Sequence, residues 1–147
     1  MNFGWGVGDI IAISKLAAKV YTAYEDAPND YKNIAEEVKS LQNIINKAAQ
    51  YFKSTTLSEN DRLEGQEALK GCQSVLRDLN SHIIEKYKSL ASPNRRLVFQ
   101  RVKLGTEDIA NLRQRLISNT VLLSGFVRRF VPTILSRRIL WVLIFLS

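Results

Sequence analysis

Residues 34–52 read IAEEVKSLQNIINKAAQYF, and their spacing decides the fold class. The apolar positions Ile34, Val38, Leu41, Ile45, Ala48 and Phe52 follow one another in steps of four and three. Lys, Glu, Asn and Gln fill the remaining positions. A helix turns once every 3.6 residues, so this pattern gathers every apolar side chain on one face. A strand would need strict alternation, and no convincing run of it occurs anywhere in the chain.

The same periodicity extends in both directions. Upstream it runs Ile10, Ile13, Ala17, Val20, Tyr24, with Asp9 placed to satisfy the free amides of a helix start. The turn Glu25–Asp30 contains Pro28, which cannot continue a helix interior. Downstream, Ser58 and Asp61 have the spacing of a capping box before a third stripe, Leu69, Cys72, Leu76, Leu79, Ile83, Tyr87, Leu90. Ser92-Pro93 suits an N-cap and first helical position, so a short basic helix is expected over Pro93–Leu104. Gly105 loosens it, and Thr106 caps a last helix with the stripe Ile109, Leu112, Leu116, Thr120, Leu123, Val127, Phe130. Pro132 should end it.

Helices of 16 to 25 residues are about 24 to 38 Å long, a good mutual match. Short connections favour antiparallel neighbours. The expectation is an all-α, up-and-down antiparallel bundle of four long helices, with a short helix before the last and an irregular hydrophobic C-terminal tail. The bundle is assigned to residues 1–130 and the tail to residues 131–147.

Composition agrees with a folded domain. The chain has 147 residues, 46% hydrophobic and 24% charged. A single cysteine cannot form an internal disulfide, which suits a reducing compartment, and no secretory leader or myristoylation glycine is read at the start. A cytoplasmic protein, free or peripheral at a membrane, is expected. The net charge of +7 is concentrated: residues 95–147 hold ten basic side chains against two acidic ones, Glu107 and Asp108. Such a segment favours anionic partners.

Catalytic chemistry has little to work with. Cys72 lies in an apolar stripe and His82 is the only histidine, so a convergent nucleophile, base or metal site is not expected. No enzyme activity and no cofactor are predicted. The opening FGWGVGD, Phe3 to Asp9, spaces its glycines wrongly for a dinucleotide loop and lacks the lysine-serine or lysine-threonine pair of a P-loop. Two readings of it stand: a flexible approach in which Phe3 and Trp5 pack on the bundle end, or a mobile tip that offers both rings to an interface.

Three blocks carry a resemblance. They are FGWGVGDIIAISKLAAKVYTAYEDAP, LKGCQSVLRDLNSHIIEKYKSL and KLGTEDIANLRQRLISNTVLLSGF. Together they resemble the fungal N-terminal domain of STAND-type, NLR-like receptors. The family's opening is matched by Phe3, Gly4, Gly8, Asp9, Ile10, Ile11 and Ala12, and its later signature by Gly105, Thr106, Glu107, Asp108, Ile109, Arg113, Arg115, Leu116, Ser118 and Asn119. The match spans roughly residues 3–127. It implies an all-helical N-terminal module of a multidomain signalling protein. The architecture is similar to HeLo and HeLo-like bundles, whose members act on membranes in fungal cell death and incompatibility. Other such modules are adaptors. The partners expected for this chain are other protein domains, a further copy of itself among them, or an anionic membrane surface.

After Phe126 the chain reads VRRFVPTILSRRILWVLIFLS and departs from that family. The apolar run Ile139 to Leu146 is shorter than the ~20 residues of a membrane span. Three readings of the tail stay open: an interfacial segment held by its arginines, a segment folded back on the bundle, or translation beyond a splice site. The candidate membrane or partner contacts are therefore Phe3, Trp5, Arg95, Arg96, Arg128, Arg129, Arg137, Arg138 and Trp141. Nucleic-acid binding is not expected, because the arginines are not interleaved with stacking aromatics.

Overall fold

A computed structural model describes the backbone of residues 5–27, 29–54, 57–90, 95–130 and 142–146, and side chains within these except at 29, 30, 32, 54, 85–90 and 95–108. Four long helices make up the bundle: α1 (Val7–Glu25), α2 (Asn29–Ser54), α3 (Glu59–Leu90) and α4 (Arg95–Arg128). No strand occurs among the described residues. Residues 142–146 form a further short helical turn, so this part of the tail is not irregular. The expected caps at Ser92-Pro93 and the stop at Pro132 lie outside the described residues.

Each apolar stripe faces inward. Ile10, Ile13, Ala17, Val20 and Tyr24 of α1 are buried, as are Ile34, Val38, Leu41, Ile45, Ala48 and Phe52 of α2. Leu69, Cys72, Leu76, Leu79 and Ile83 of α3 join them, with Ile109, Leu116, Leu123 and Val127 of α4. Burial of some two dozen apolar side chains, each contributing about 1.5–3 kcal/mol, is the main force holding the helices together.

Three local expectations change. The helix start precedes Asp9: Gly6 is the N-cap, and Val7 and Gly8 already belong to the first turn. Asp9 accepts the Gly6 N–H at 2.8 Å, satisfying one of the amides that a helix start leaves unbonded. Secondly, the short helix expected before the last one is continuous with it. Gly105 sits inside α4, a position that costs about 1 kcal/mol relative to alanine but breaks no hydrogen bond. The third concerns length, for α3 and α4 run for 32 and 34 residues against 19 for α1. The polar first turn of α3 has no apolar stripe, yet Ser58 Oγ accepts the Asp61 N–H at 3.2 Å and caps it.

Neighbouring directions follow from the contacts. Ser14 Oγ donates to Asn46 Oδ1 at 2.6 Å and Tyr24 stacks near Tyr31, so α1 and α2 are antiparallel. Arg115 meets Asp78 while Arg129 meets Glu64, so α3 and α4 are antiparallel too. Phe52 against Phe126 and Glu37 against Arg113 make α2 and α4 parallel. Among the described residues α2 and α3 barely touch, and α1 and α4 do not. The order around the bundle is therefore α1, α2, α4, α3, with the α2–α3 connection crossing a diagonal. Helix directions alternate as expected, but consecutive helices are not all adjacent.

Candidate interaction surfaces

The end of the bundle where α1 begins also receives the end of α2, the start of α3 and the end of α4. There Tyr51, Phe52, Phe126 and Phe130 form an aromatic cluster with centroid separations of 5.0–6.2 Å. Gly65 makes this possible. A Cβ at that position would lie 2.7 Å from Phe126 Cζ and 2.8 Å from Phe52 Cζ. Phe126 was missed by the stripe reading, because it sits at the edge of the inward face.

Arg129 covers this cluster. Its guanidinium lies 5.5 Å from the Phe126 ring centre and 5.9 Å from that of Phe130, and it donates to Glu64 at 2.7 Å. Asp61 is 3.8 Å away. Arg129 is thus occupied within the fold, whereas Arg128 points to solvent. Trp5 is half-buried and packs on the core, in line with the first reading of the opening stretch. Phe3, Arg137, Arg138 and Trp141 lie outside the described residues, as do the side chains of Arg95 and Arg96. The backbone nevertheless separates positions 95 and 128 by almost the whole of α4, about 50 Å. Positions 95 and 128 therefore do not share one patch.

Two more arginines tie α4 to its neighbours. Arg113 grips Glu37 through Nε and Nη2, at 3.0 and 2.8 Å to Oε1, and this hydrogen bond chiefly raises the guanidinium pKa. Arg115 donates to Asp78 at 2.7 Å and to Ser74 at 3.2 Å. Between these flanks the outer face of α4 carries three exposed apolar side chains among polar ones: Ile117, Val121 and Leu122 are 44%, 64% and 63% exposed. Nothing lies near Gly125 on that face. Sequence reading passed over this surface, although α4 has more apolar residues than one inward stripe can absorb, and that excess was the available signal.

The remaining chemistry is structural. Cys72 is buried, and loss of hydration pushes its thiol up to about 12, so it is a poor nucleophile near neutrality. His82 is half-buried on α3. No group of three metal-binding side chains occurs among the described residues. No helix among them is long and apolar enough to cross a membrane. In the tail, Val142 to Leu146 are 55–85% exposed. Comparison of the chain with known protein families, curated proteins and solved structures finds no match.

Proposed function

We propose that the chain is a non-enzymatic helical module that works by binding other protein domains, as an adaptor within a signalling protein of the fungal NLR-like type it resembles. One observation carries this reading: the apolar outer face of α4, Ile117, Val121 and Leu122, is presented on a rigid helix and left uncovered by α2 and α3. Exposed apolar surface of this kind, bordered by polar groups, is what protein partners cover. The arginines on its borders, Arg113 and Arg115, are held in place by Glu37 and Asp78, so the surface is preorganised.

A second reading, membrane association in the manner of a cell-death effector, draws on the exposed apolar turn 142–146. Arg129 and Trp5 lend it little, because both are engaged within the bundle. Co-sedimentation of the full chain with phosphatidylserine-containing vesicles separates the two. The adaptor reading expects the protein to stay in the supernatant at low and high salt. Salt-sensitive pelleting that disappears when Leu143 and Phe145 become serine would replace it with the membrane reading.

A further inference from the structure

The outer face of α4 has a register of its own. Ala110, Gln114, Ile117, Val121, Gly125 and Arg128 follow in steps of four, three, four, four and three, all exposed. This is the ~3.6-residue spacing of one helix face, lying across the helix from the stripe that faces the core. It is also close to self-complementary when read backwards about the midpoint of Ile117 and Ser118. Position 114 is then level with 121, and 110 with 125, which sets two small residues, Ala110 and Gly125, equally far from the centre. Position 107 becomes level with 128. Since α4 is continuous through both positions, Glu107 of one copy and the exposed Arg128 of another stand at the same height.

From this placement we propose that the uncovered face of α4 is a homodimer interface, in which the α4 helices of two copies pack antiparallel about Ile117 and Ser118. The inference deepens the adaptor reading and rests on it. Charge selects both occupant and direction. Position 107, a glutamate in the sequence, is level with Arg128 of the second copy in the antiparallel arrangement, and this charge complementarity favours that occupant. An antiparallel arrangement also keeps the two Arg128 side chains about 30 Å apart, well beyond the ~8 Å screening length. A parallel one would stack them. Small residues at 110, 118 and 125 let the helices approach closely. One helix face buries an area near the lower end of specific interfaces, about 1,200 Å² in total, so the dimer is weak and reversible.

Sedimentation equilibrium of the full chain over micromolar to submillimolar concentrations provides the test. The wild type should show a monomer–dimer equilibrium, and Val121→Glu should weaken it at least about tenfold, a change worth ~1.4 kcal/mol. Arg128→Glu should weaken it too, and Glu107→Arg with Arg128→Glu should restore it. Circular dichroism verifies that each variant keeps its helix content, and a Leu143→Ser, Phe145→Ser variant, dimerising as before, shows that the tail is not responsible. Under oxidation Ser118→Cys should cross-link to its own copy while Gly125→Cys should not. A wild type that remains monomeric, association that survives Val121→Glu, a charge exchange without rescue, or equal cross-linking at both positions would overturn the dimer. A monomer that also ignores vesicles leaves the adaptor reading in place, whereas a monomer that pellets through its tail removes both.

Discussion

Tyr24 on α1 donates its phenolic hydrogen to the backbone carbonyl of Leu79 on α3, at 2.8 Å in the bundle interior. It ties these two parallel neighbours together through a polar contact. Burial, and then the neighbouring Tyr31, raise the phenol pKa above its ordinary value of 10.0. Cys72 is shifted the same way from 9.0. Both groups are raised in the folded state, so the protonated forms belong to the fold. Their contribution is complete below the unfolded pKa values and is lost as pH climbs through the folded ones. Stability to urea should therefore be level through neutrality and fall from about pH 9 upward. Tyr24→Phe should cost about 1 kcal/mol at pH 7, the usual net worth of such a bond, and flatten part of the alkaline decline. A variant as stable as wild type at both pH 7 and pH 11 would show that the bond contributes nothing.

Glycines at 65 and 125 should respond in opposite directions to the same change. Gly65→Ala drives a methyl group into Phe52 and Phe126, and overpacking of about 1–3 kcal/mol outweighs the ~1 kcal/mol gained in helix propensity. Gly125→Ala meets open space and should stabilise the chain by up to about 1 kcal/mol. Thermal melts of the two variants at low protein concentration, where monomers dominate, measure both. If Gly65→Ala melted higher than wild type, the aromatic cluster would have more room than its geometry indicates.

At the Arg113–Glu37 pair, geometry matters more than charge. The planar guanidinium reaches the carboxylate with two nitrogens, which an ammonium cannot do. Because the arginine side chain is 43% exposed, water screens much of the attraction. Arg113→Lys is expected to cost about 0.5–1 kcal/mol, and a double-mutant cycle with Glu37→Gln should return a coupling of similar size. Zero coupling would reduce the pair to a surface contact.

Adjacent arginines at the end of α4 should differ sharply in their effect on folding. Arg128→Glu changes an exposed side chain and should alter stability by less than about 0.5 kcal/mol. Arg129→Glu removes the contacts with Phe126 and Phe130 and sets a negative charge against Glu64 and Asp61, for a loss of about 1–3 kcal/mol. Denaturant midpoints decide the matter. Equal midpoints would mean that Arg129 is as free as its neighbour.

What residues 34–52 and their counterparts determined alone was the number of long helices and the face each one buries. Solvation dictates that much locally, because an amphipathic helix must hide its apolar stripe whatever lies opposite. Helix starts were less legible. The Ser58–Asp61 spacing marked the start of α3, but Val7 and Gly8 of α1 precede its apolar stripe without a signal, and Gly105 resembles a break when read without the residues on either side. The order α1, α2, α4, α3 had to come from the tertiary structure, since a stripe specifies that a face is buried but not which neighbour covers it. The same holds for the surface of α4. The stripe separates Leu116 and Leu123 from Ile117, Val121 and Leu122, but only the positions of the other helices leave these three in water rather than under a second neighbour.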